Sequence, residues 1–588
     1  MNQSYPVYTL EAECQDCYKC VRHCPVKAIK VRDGHAAVIP ELCVACGKCV
    51  EVCPVKAKRV RNDTARLRQL LSEPAPVYAS LAPSWVSEFK NIAPGQLIRA
   101  LKTLGFAGVS ETALGAQIIS AEVSKELDGG NPGLLLSSAC PTAVDFVRKY
   151  IPHLAANITR VGSPLMAHCR MLRDTFGDGI RTVFVGPCIS KKNEADRNPE
   201  LLNLAVTYPE IRQMLREDDI EPEGMEPEPG DKFVPESAEE GAQYPVEGGM
   251  NDTIQFQCKN RKVHYFTLTG LDNMKLALEG LGLDEIPADE TVFIETLACP
   301  GGCVHGPCTE HNSPGLLERL RVLGKTHFPA SPKRRETGGS IAASFPEDAV
   351  VAPKPAVSDI QAALRSIGKT TPEDELNCDG CGYGTCRNFA QALIAGHAEP
   401  SMCVSYLKKQ AQKKANALLR SMSSGAVIVD KKLQIIECNR HFAELFGEEI
   451  VAAYDACPGM AGADLTRIVP FANLFESSLL SGKDIRRDSV KVGRRLFNVN
   501  IFSIDPGEVI GGVMYDVTNT ELRREQIAAR AREVIDRNIA AVQEIACRLG
   551  EQMADTELLL RSIAEDYADD SNLSGPAEHG AKPGAGKA

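Results

Sequence analysis

The chain has 588 residues, 44% hydrophobic and 24% charged, with a formal net charge of −11. That length calls for several hydrophobic cores, and the acidic balance argues against nucleic acid as the main partner. No stretch approaches the roughly 20 consecutive apolar residues that cross a bilayer. MNQSYPVYTLEAEC also lacks the charged and then apolar segments of an export signal, so a cytoplasmic protein with no membrane partner is expected. Cysteine is the outlier, at 22 residues, sixteen of them in tight clusters. Disulfide scaffolds are short and secreted as a rule, so these clusters read as metal ligands.

Residues 1–60 carry two such clusters. Cys14, Cys17, Cys20 and Cys24 read C-x2-C-x2-C-x3-C before Pro25, and Cys43, Cys46, Cys49 and Cys53 repeat the spacing before Pro54. A single zinc site needs four thiolates and leaves eight unexplained. The pattern resembles the bacterial two-cluster ferredoxins. In that pattern the fourth cysteine of each run crosses to the other cube. Cys14, Cys17, Cys20 and Cys53 would then hold one 4Fe-4S cluster, and Cys43, Cys46, Cys49 and Cys24 the second. Such a module conducts electrons and does no chemistry alone.

Over 77–328, short apolar runs alternate with helical patterns. VYASLAP, GLLLSSA, TVFVGPC and TVFIETLAC read as buried strands, and LIRALKTLGF and GLLERLRVL as amphipathic helices, which predicts an α/β domain with chemistry at its strand ends. Those ends carry SSACP (Cys140), VGPCISKKNEADR (Cys188) and ETLACPGGCVHG (Cys299, Cys303). The three loops, in this order, resemble the signature loops of the FeFe-hydrogenase catalytic domain. The resemblance implies that Cys140, Cys188, Cys299 and Cys303 ligate a 4Fe-4S cube, with Cys303 bridging to a diiron unit that carries CO and cyanide (together, the H-cluster). It places Pro187 and Lys191 beside the diiron unit, with Glu194 anchoring the lysine or a neighbouring backbone group. Gly301 and Gly302 would allow the tight turn between two ligands. Taken without the flanking cysteines, Lys191, Lys192 and Glu194 read as a solvated charged turn.

The departures from the family pattern matter as much. The residue before the first ligand, a proton-relaying cysteine in turnover hydrogenases, is Ala139, which cannot carry a proton. Two methionines of the diiron pocket are replaced by Gly186 and Leu297. On the helix around 120–127, Glu126 keeps one relay carboxylate, but Val123 stands where another is expected. Cys169 and Cys258 read as small buried hydrophobes; Cys308 is a candidate substitute thiol relay near the cluster. The acidic, Pro/Gly-rich stretch 218–241 reads as a mobile loop, and 329–357 as a linker.

In 358–410, Cys378, Cys381, Cys386 and Cys403 read C-x2-C-x4-C-x16-C, with zinc as the competing reading. They resemble the small iron–sulfur domain of corrinoid proteins and electron-transport complexes, which implies a third 4Fe-4S cluster outside the active site. The KKQAQKK run nearby reads as a solvated helix face. Residues 420–518 resemble a PAS sensory domain, through Asp430 in the first hairpin, Asn439 opening a helix, and the closing Asp516 to Thr518. The PAS ligand is not legible; Cys438 and His441 read as core or surface packing. Over 519–568, apolar residues from Ile535 to Tyr567 step by alternating fours and threes, predicting a dimeric signalling coiled coil; 569–588 reads as a disordered tail.

The expected fold class is therefore multidomain, α/β plus α+β. The domain order resembles the PAS-bearing, sensory FeFe hydrogenases, which implies a hydrogen or redox sensor with slow, reversible hydrogen oxidation. The alternatives are a turnover, ferredoxin-linked hydrogenase, and a non-catalytic scaffold like the eukaryotic Nar/Narf relatives, which lack the diiron unit. Implied partners are H2 and protons, ferredoxin or another electron carrier, hydrogenase maturation proteins, a signalling kinase or phosphatase, and a second copy of the chain.

Overall fold

The computed structural model describes residues 5–518, apart from 131–132, 261, 288, 311–313, 333, 352–354 and 494, together with 533–539. The described residues fall into two compact units that part after Met402.

The first unit opens with two antiparallel strand pairs, β1 (Val7–Thr9) with β4 (Lys58–Val60) and β2 (Ile29–Arg32) with β3 (His35–Val38). Two short helices, Lys19–Arg22 and Lys48–Val52, each follow a residue with positive φ, Tyr18 and Gly47. The turns that precede them carry the closely spaced cysteines.

Two parallel sheets follow. One has the order β6-β5-β8-β9, built from β5 (Val77–Leu81), β6 (Gly108–Glu111), β8 (Arg181–Gly186) and β9 (Leu204–Thr207). The other has the order β10-β11-β7, from β7 (Gly133–Leu136), β10 (Val263–Thr269) and β11 (Thr291–Leu297). Most strands are near-continuous apolar runs, as parallel strands covered on both faces require. The helix Ala113–Asp128 is almost wholly buried and packs on the helix Pro164–Phe176. Gly115 makes that approach possible, since a Cβ there would stand 2.0 Å from the Pro164 carbonyl oxygen. The ends of β7, β8 and β11 all lead into cysteine-bearing loops.

The segment 218–241 departs from the expected mobile loop. Asp231 accepts from Lys102 Nζ at 2.9 Å, Glu228 pairs with Arg99 at 2.6 Å, and Val234 N donates to Val109 O at 3.0 Å. Phe233 is buried against Trp85. Its acidic composition matches the basic face of the helix Pro94–Thr103, a complementarity that composition alone does not reveal. The linker 329–357 is likewise tied down. Ala343 N donates to Arg160 O, Gly162 N to Ile341 O, and Val350 N to Lys149 O.

In the second unit the helix Val404–Ser421 presents its lysines to solvent and leads into an antiparallel sheet of order β13-β12-β16-β15-β14. The strands are β12 (Gly425–Asp430), β13 (Ile435–Cys438), β14 (Ile485–Val492), β15 (Arg495–Asp505) and β16 (Val509–Asp516). Val427, Phe442, Phe475, Ile501 and Met514 form its core. Asn439 Oδ1 accepts from Phe442 N and Ala426 N, both at 2.9 Å, while its Nδ2 donates to Leu419 O and Ser424 O. One buried amide thus joins the end of the incoming helix to the sheet. Of the coiled coil expected over 519–568, only 533–539 is described; it is helical, and Val534 packs on Met422, Ala426 and Val513. The rest of it, and the tail, lie outside the described residues.

One buried histidine ties the first sheet together. His168 lies between Ser80 Oγ at 2.7 Å and Ser110 Oγ at 2.8 Å, and burial lowers its pKa to about 3. The unfolded chain therefore takes up a proton below about pH 6.5 that the folded chain refuses, and stability falls as the pH drops through that window. Against a His168→Gln variant, the parent is expected to lose about 2 kcal/mol more between pH 6.5 and 5, measured by chemical denaturation.

Candidate metal centre

Three strand ends converge on one chamber. Cys140 follows β7 and precedes the helix Pro141–Tyr150; Cys188 follows β8; Cys299 and Cys303 follow β11. The last turn requires both glycines. Gly301 and Gly302 have φ of +76° and +102°, and a Cβ on Gly302 would lie 2.4 Å from the Pro245 carbonyl oxygen.

The structure brings all four of these cysteines together. Burial pushes the Cys188 thiol up to about 11, with Cys140 adding to the shift. Cys303 is raised by burial and then by Cys140 and Cys188, partly offset by Lys191. Cys299 is raised by burial and then by Cys303, Cys188 and Cys140. Buried thiols crowded in this way ionise readily only beside a cation, so the donor set suits a soft, thiolate-binding iron cluster.

A cavity of about 100 Å3 extends from Cys140, Cys188 and Cys303. Its wall is apolar except at a few points. Ala139, Pro187 and Leu297 line it, as does Lys191. Lys191 Nζ donates to Ser163 Oγ at 3.0 Å and to Glu194 Oε2 at 2.5 Å, so the ammonium is held in place by its neighbours. Gly186 lies behind the wall, where a Cβ would meet the Phe184 ring at 2.4 Å; the ring occupies the room of a larger side chain. Residues 190–197 form a helix, and the solvated-turn reading fails there. Lys192 is fully buried, donating to Asp63 Oδ2 at 2.8 Å, Glu210 at 2.9 Å and Ala205 O at 3.1 Å.

The other cysteines fall into groups. Cys24, Cys43, Cys46 and Cys49 lie within electrostatic reach of one another, and Cys46 also acts on Cys299. Cys14, Cys17 and Cys20 form a second group, with Cys17 exposed and Cys53 buried. Cys378 and Cys381 sit in a loop with positive φ at Asn377, Asp379, Gly382 and Gly384. Cys386 begins a helix, its N–H bonded to Asn377 Oδ1 at 2.8 Å. Cys403 caps the helix Val404–Ser421 at the start of the second unit. Cys438 lies in the sheet's core and His441 is exposed, consistent with packing.

Four family models match the chain in turn. They are a 4Fe-4S dicluster domain over 6–54, the C-terminal domain of the iron-only hydrogenase large subunit over 75–307, a putative Fe-S cluster over 374–405 and a PAS domain over 414–488. The chain is FeFe-hydrogenase-like and carries a PAS domain.

Iron hydrogenase 1 of Clostridium pasteurianum is 25% identical over 311 residues, which cover 44% of this chain and 54% of that protein. The periplasmic Fe hydrogenase large subunit of Nitratidesulfovibrio vulgaris is 28% identical over 370 residues, covering 53% and 87%. The chain thus spans about half the length of the Clostridium protein. A solved FeFe hydrogenase of Chlamydomonas reinhardtii aligns at 17% identity with a TM-score of 0.40, over 49% of this chain and all of that one.

Within this FeFe-hydrogenase-like site, two expected relay groups are not among the residues that line the cavity. Glu126 is half-buried about 15 Å along its helix from the cavity-lining Ala116. Cys308 is not among the residues lining the cavity, but its N–H bonds to Pro187 O and it lies within electrostatic reach of Glu210, Lys192 and Cys188. Cys169 is buried, and Cys258 Sγ donates to Asp128 at 3.3 Å.

Conversely, sequence reasoning missed Glu295, which lines the cavity and accepts from Met250 N and Thr267 Oγ1, both at 3.2 Å. Burial raises it to about 7. Beside it on the wall is Tyr244, whose hydroxyl bonds Ser120 Oγ at 2.8 Å, and Ser120 bonds Thr253 at 2.9 Å. The glutamate is visible in ETLACPGG, but only burial marks it as titratable near neutrality.

Removing the Lys192 ammonium leaves Glu210 buried without its cation and strips one of three cations from the buried Asp63. Lys192→Met is expected to cost about 3–5 kcal/mol in chemical denaturation, well beyond an exposed lysine's loss.

Proposed function

We propose that this chain holds a hydrogenase-type cluster in the chamber, turns hydrogen over slowly and reports it to its PAS domain. The observation that carries this reading is Ala139 in the chamber wall, on a chain that also bears a PAS domain. Cys140, Cys188, Cys299 and Cys303 would hold the 4Fe-4S cube, and Cys303 would bridge to the diiron unit. When bound, that group supplies the reversible splitting of hydrogen into protons and electrons.

The chain's own residues set the conditions. Lys191, fixed by Ser163 and Glu194, directs an ammonium with only donors toward the chamber. Pro187 and Leu297 help exclude water. Ala139 moves no proton, and Glu295 is left as the acid–base group of the wall, protonated below about pH 7 and ionised above it.

A fast turnover enzyme is disfavoured by Ala139, because a positioned acid–base group typically contributes a large part of the rate. A scaffold holding only a cube is disfavoured by the chamber, whose apolar lining runs from Cys140, Cys188 and Cys303 to Leu297, Tyr244 and Met250. The partners follow from the chemistry. They are hydrogen, protons, an electron carrier, maturation proteins that deliver the diiron unit, and a kinase or phosphatase on another chain. A second copy would associate through 519–568. Hydrogen chemistry and the two further N-terminal clusters fit a reducing cytoplasm.

Infrared spectra of the matured protein decide between these readings. Bands of CO and cyanide that shift between argon and hydrogen are expected. No bands would leave the cube-only scaffold, and bands indifferent to hydrogen would sink the sensor. Ala139→Cys is expected to raise hydrogen-driven dye reduction by about 10²-fold; an unchanged rate would show that proton delivery is not limiting.

A further inference from the structure

The loop that carries Cys378 and Cys381 rests on the ferredoxin module, and the contact is made by the residues between the iron ligands. Gly382, at φ +86°, lies so close to Arg22 that a Cβ would stand 2.7 Å from its Cα and 3.0 Å from its backbone nitrogen. Main chain meets main chain there, which only a glycine in this conformation permits. Gly382, next to Cys381, therefore abuts Arg22, two residues before Cys24. The Tyr383 ring is buried in this contact, within electrostatic reach of both Cys381 and Cys24.

A second set of bonds fixes the same two domains. Val31 N donates to His397 O at 2.9 Å, and Asp33 N and Gly34 N donate to the Glu399 carboxylate at 2.5 and 3.3 Å. Cys24 belongs to the group with Cys43, Cys46 and Cys49, and Cys46 is the thiol that acts on Cys299. That one group therefore has the chamber's cysteines on one side and Cys381 on another. Cys17 is exposed, so a soluble carrier can reach the Cys14, Cys17 and Cys20 group.

We propose that the centre held by Cys24, Cys43, Cys46 and Cys49 is a branch point for electrons. One arm leads through the Cys14, Cys17 and Cys20 group to a soluble one-electron carrier. The other crosses the Gly382 contact to the centre that Cys378, Cys381 and Cys386 would hold, the one that precedes the PAS domain in the chain. The inference rests on the hydrogen chemistry proposed above for its source of electrons. One H2 gives up two protons and two electrons, and each 4Fe-4S cube takes one electron. A single turnover can therefore reduce the branch centre and the 378–403 centre together. Tyr383 closes the gap and keeps water out, itself neither oxidised nor deprotonated.

The test uses the full-length, matured protein, freeze-quenched after exposure to hydrogen and read by electron paramagnetic resonance. The 378–403 spin is identified by its loss in Cys386→Ser. In Gly382→Val, whose side chain has no room against Arg22, the fast appearance of that spin under hydrogen is expected to be lost. Hydrogen-driven reduction of methyl viologen should persist, because the outer arm is untouched. A variant with the parent's iron content and the parent's rate of appearance overturns the branch. Should the variant lose iron, the parent alone decides. Reduced by dithionite without hydrogen, its 378–403 spin is expected to show dipolar coupling to the branch-centre spin, and absence of coupling overturns the proposal. Coupled spins under dithionite with none under hydrogen would support the wiring and refute the hydrogen reading instead.

Discussion

Lys192 sits between Asp63 and Glu210 with no part of its side chain in solvent, and its third bond reaches the Ala205 carbonyl in β9. Asp63 lies where the ferredoxin module ends, and it also receives Arg61 and Arg66. Glu210 caps the helix Tyr208–Glu217 through the Thr207 N–H. Lys191 and Lys192 are neighbours in one helix. One ammonium therefore joins the electron-carrying module, a strand of the first sheet and the lysine of the chamber wall. A buried charge pair of this kind adds little net stability, but its geometry is strict because each partner left alone is so costly. It fixes where the module sits, and with it the approach of Cys46 to Cys299.

Around that frame the chamber gathers four cysteines, the proposed iron ligands, with few side chains able to carry a proton. The thiols come from three separate loops, and two glycines shape the last of them. Val123 is buried in the core of its helix, Glu126 lies well along it, and Ala139 offers only a methyl group. Glu295, Lys191, Ser84, Thr112 and Tyr244 are polar residues of the wall, with the hydroxyls of Ser120 and Thr253 behind Tyr244. Slow proton exchange hinders an enzyme that must turn over quickly. A detector needs only that occupancy change the electron count of its clusters, so the same chamber suits detection.

The ligand pattern was legible in the sequence because cysteine spacing is dictated by local geometry. The strands flanking those motifs were legible too, since VYASL, GLLL and TVFIETL are uninterrupted apolar runs. Less could be read where meaning depends on distant partners. The acidic stretch 218–241 looks unstructured until Arg99 and Lys102 are placed opposite it. β14, with Arg486, Arg487, Asp488 and Lys491 facing out, carries too little apolar content to show a strand. Glu295 stands in plain sight in its motif, yet its raised pKa comes from burial, which outweighs the hydrogen bonds it accepts from residues 248–251 and Thr267. Cys308, five residues past Cys303, lies within reach of both Cys188 and Lys192 without lining the cavity, a placement that spacing alone does not give.

A sensor built from several clusters faces a problem that a single-site enzyme does not. If electrons drain outward as fast as they arrive, the cluster next to the PAS domain never registers them. If they cannot drain, the chain stays reduced after hydrogen has gone. A branch point meets both demands, since the two arms compete for electrons from a common centre and the outer arm resets the inner one. The inner arm then needs a stiff link to the reporter. Cys403 caps an 18-residue helix, and Asn439 binds the Leu419 carbonyl near that helix's far end while also holding Ala426 and Phe442 of the sheet. A small displacement at the ligand would therefore reach the sheet through continuous helical hydrogen bonds. Transmission of that kind requires the oxidised and reduced states to favour different placements of the helix, and the single buried amide at its end is where such a difference would be felt.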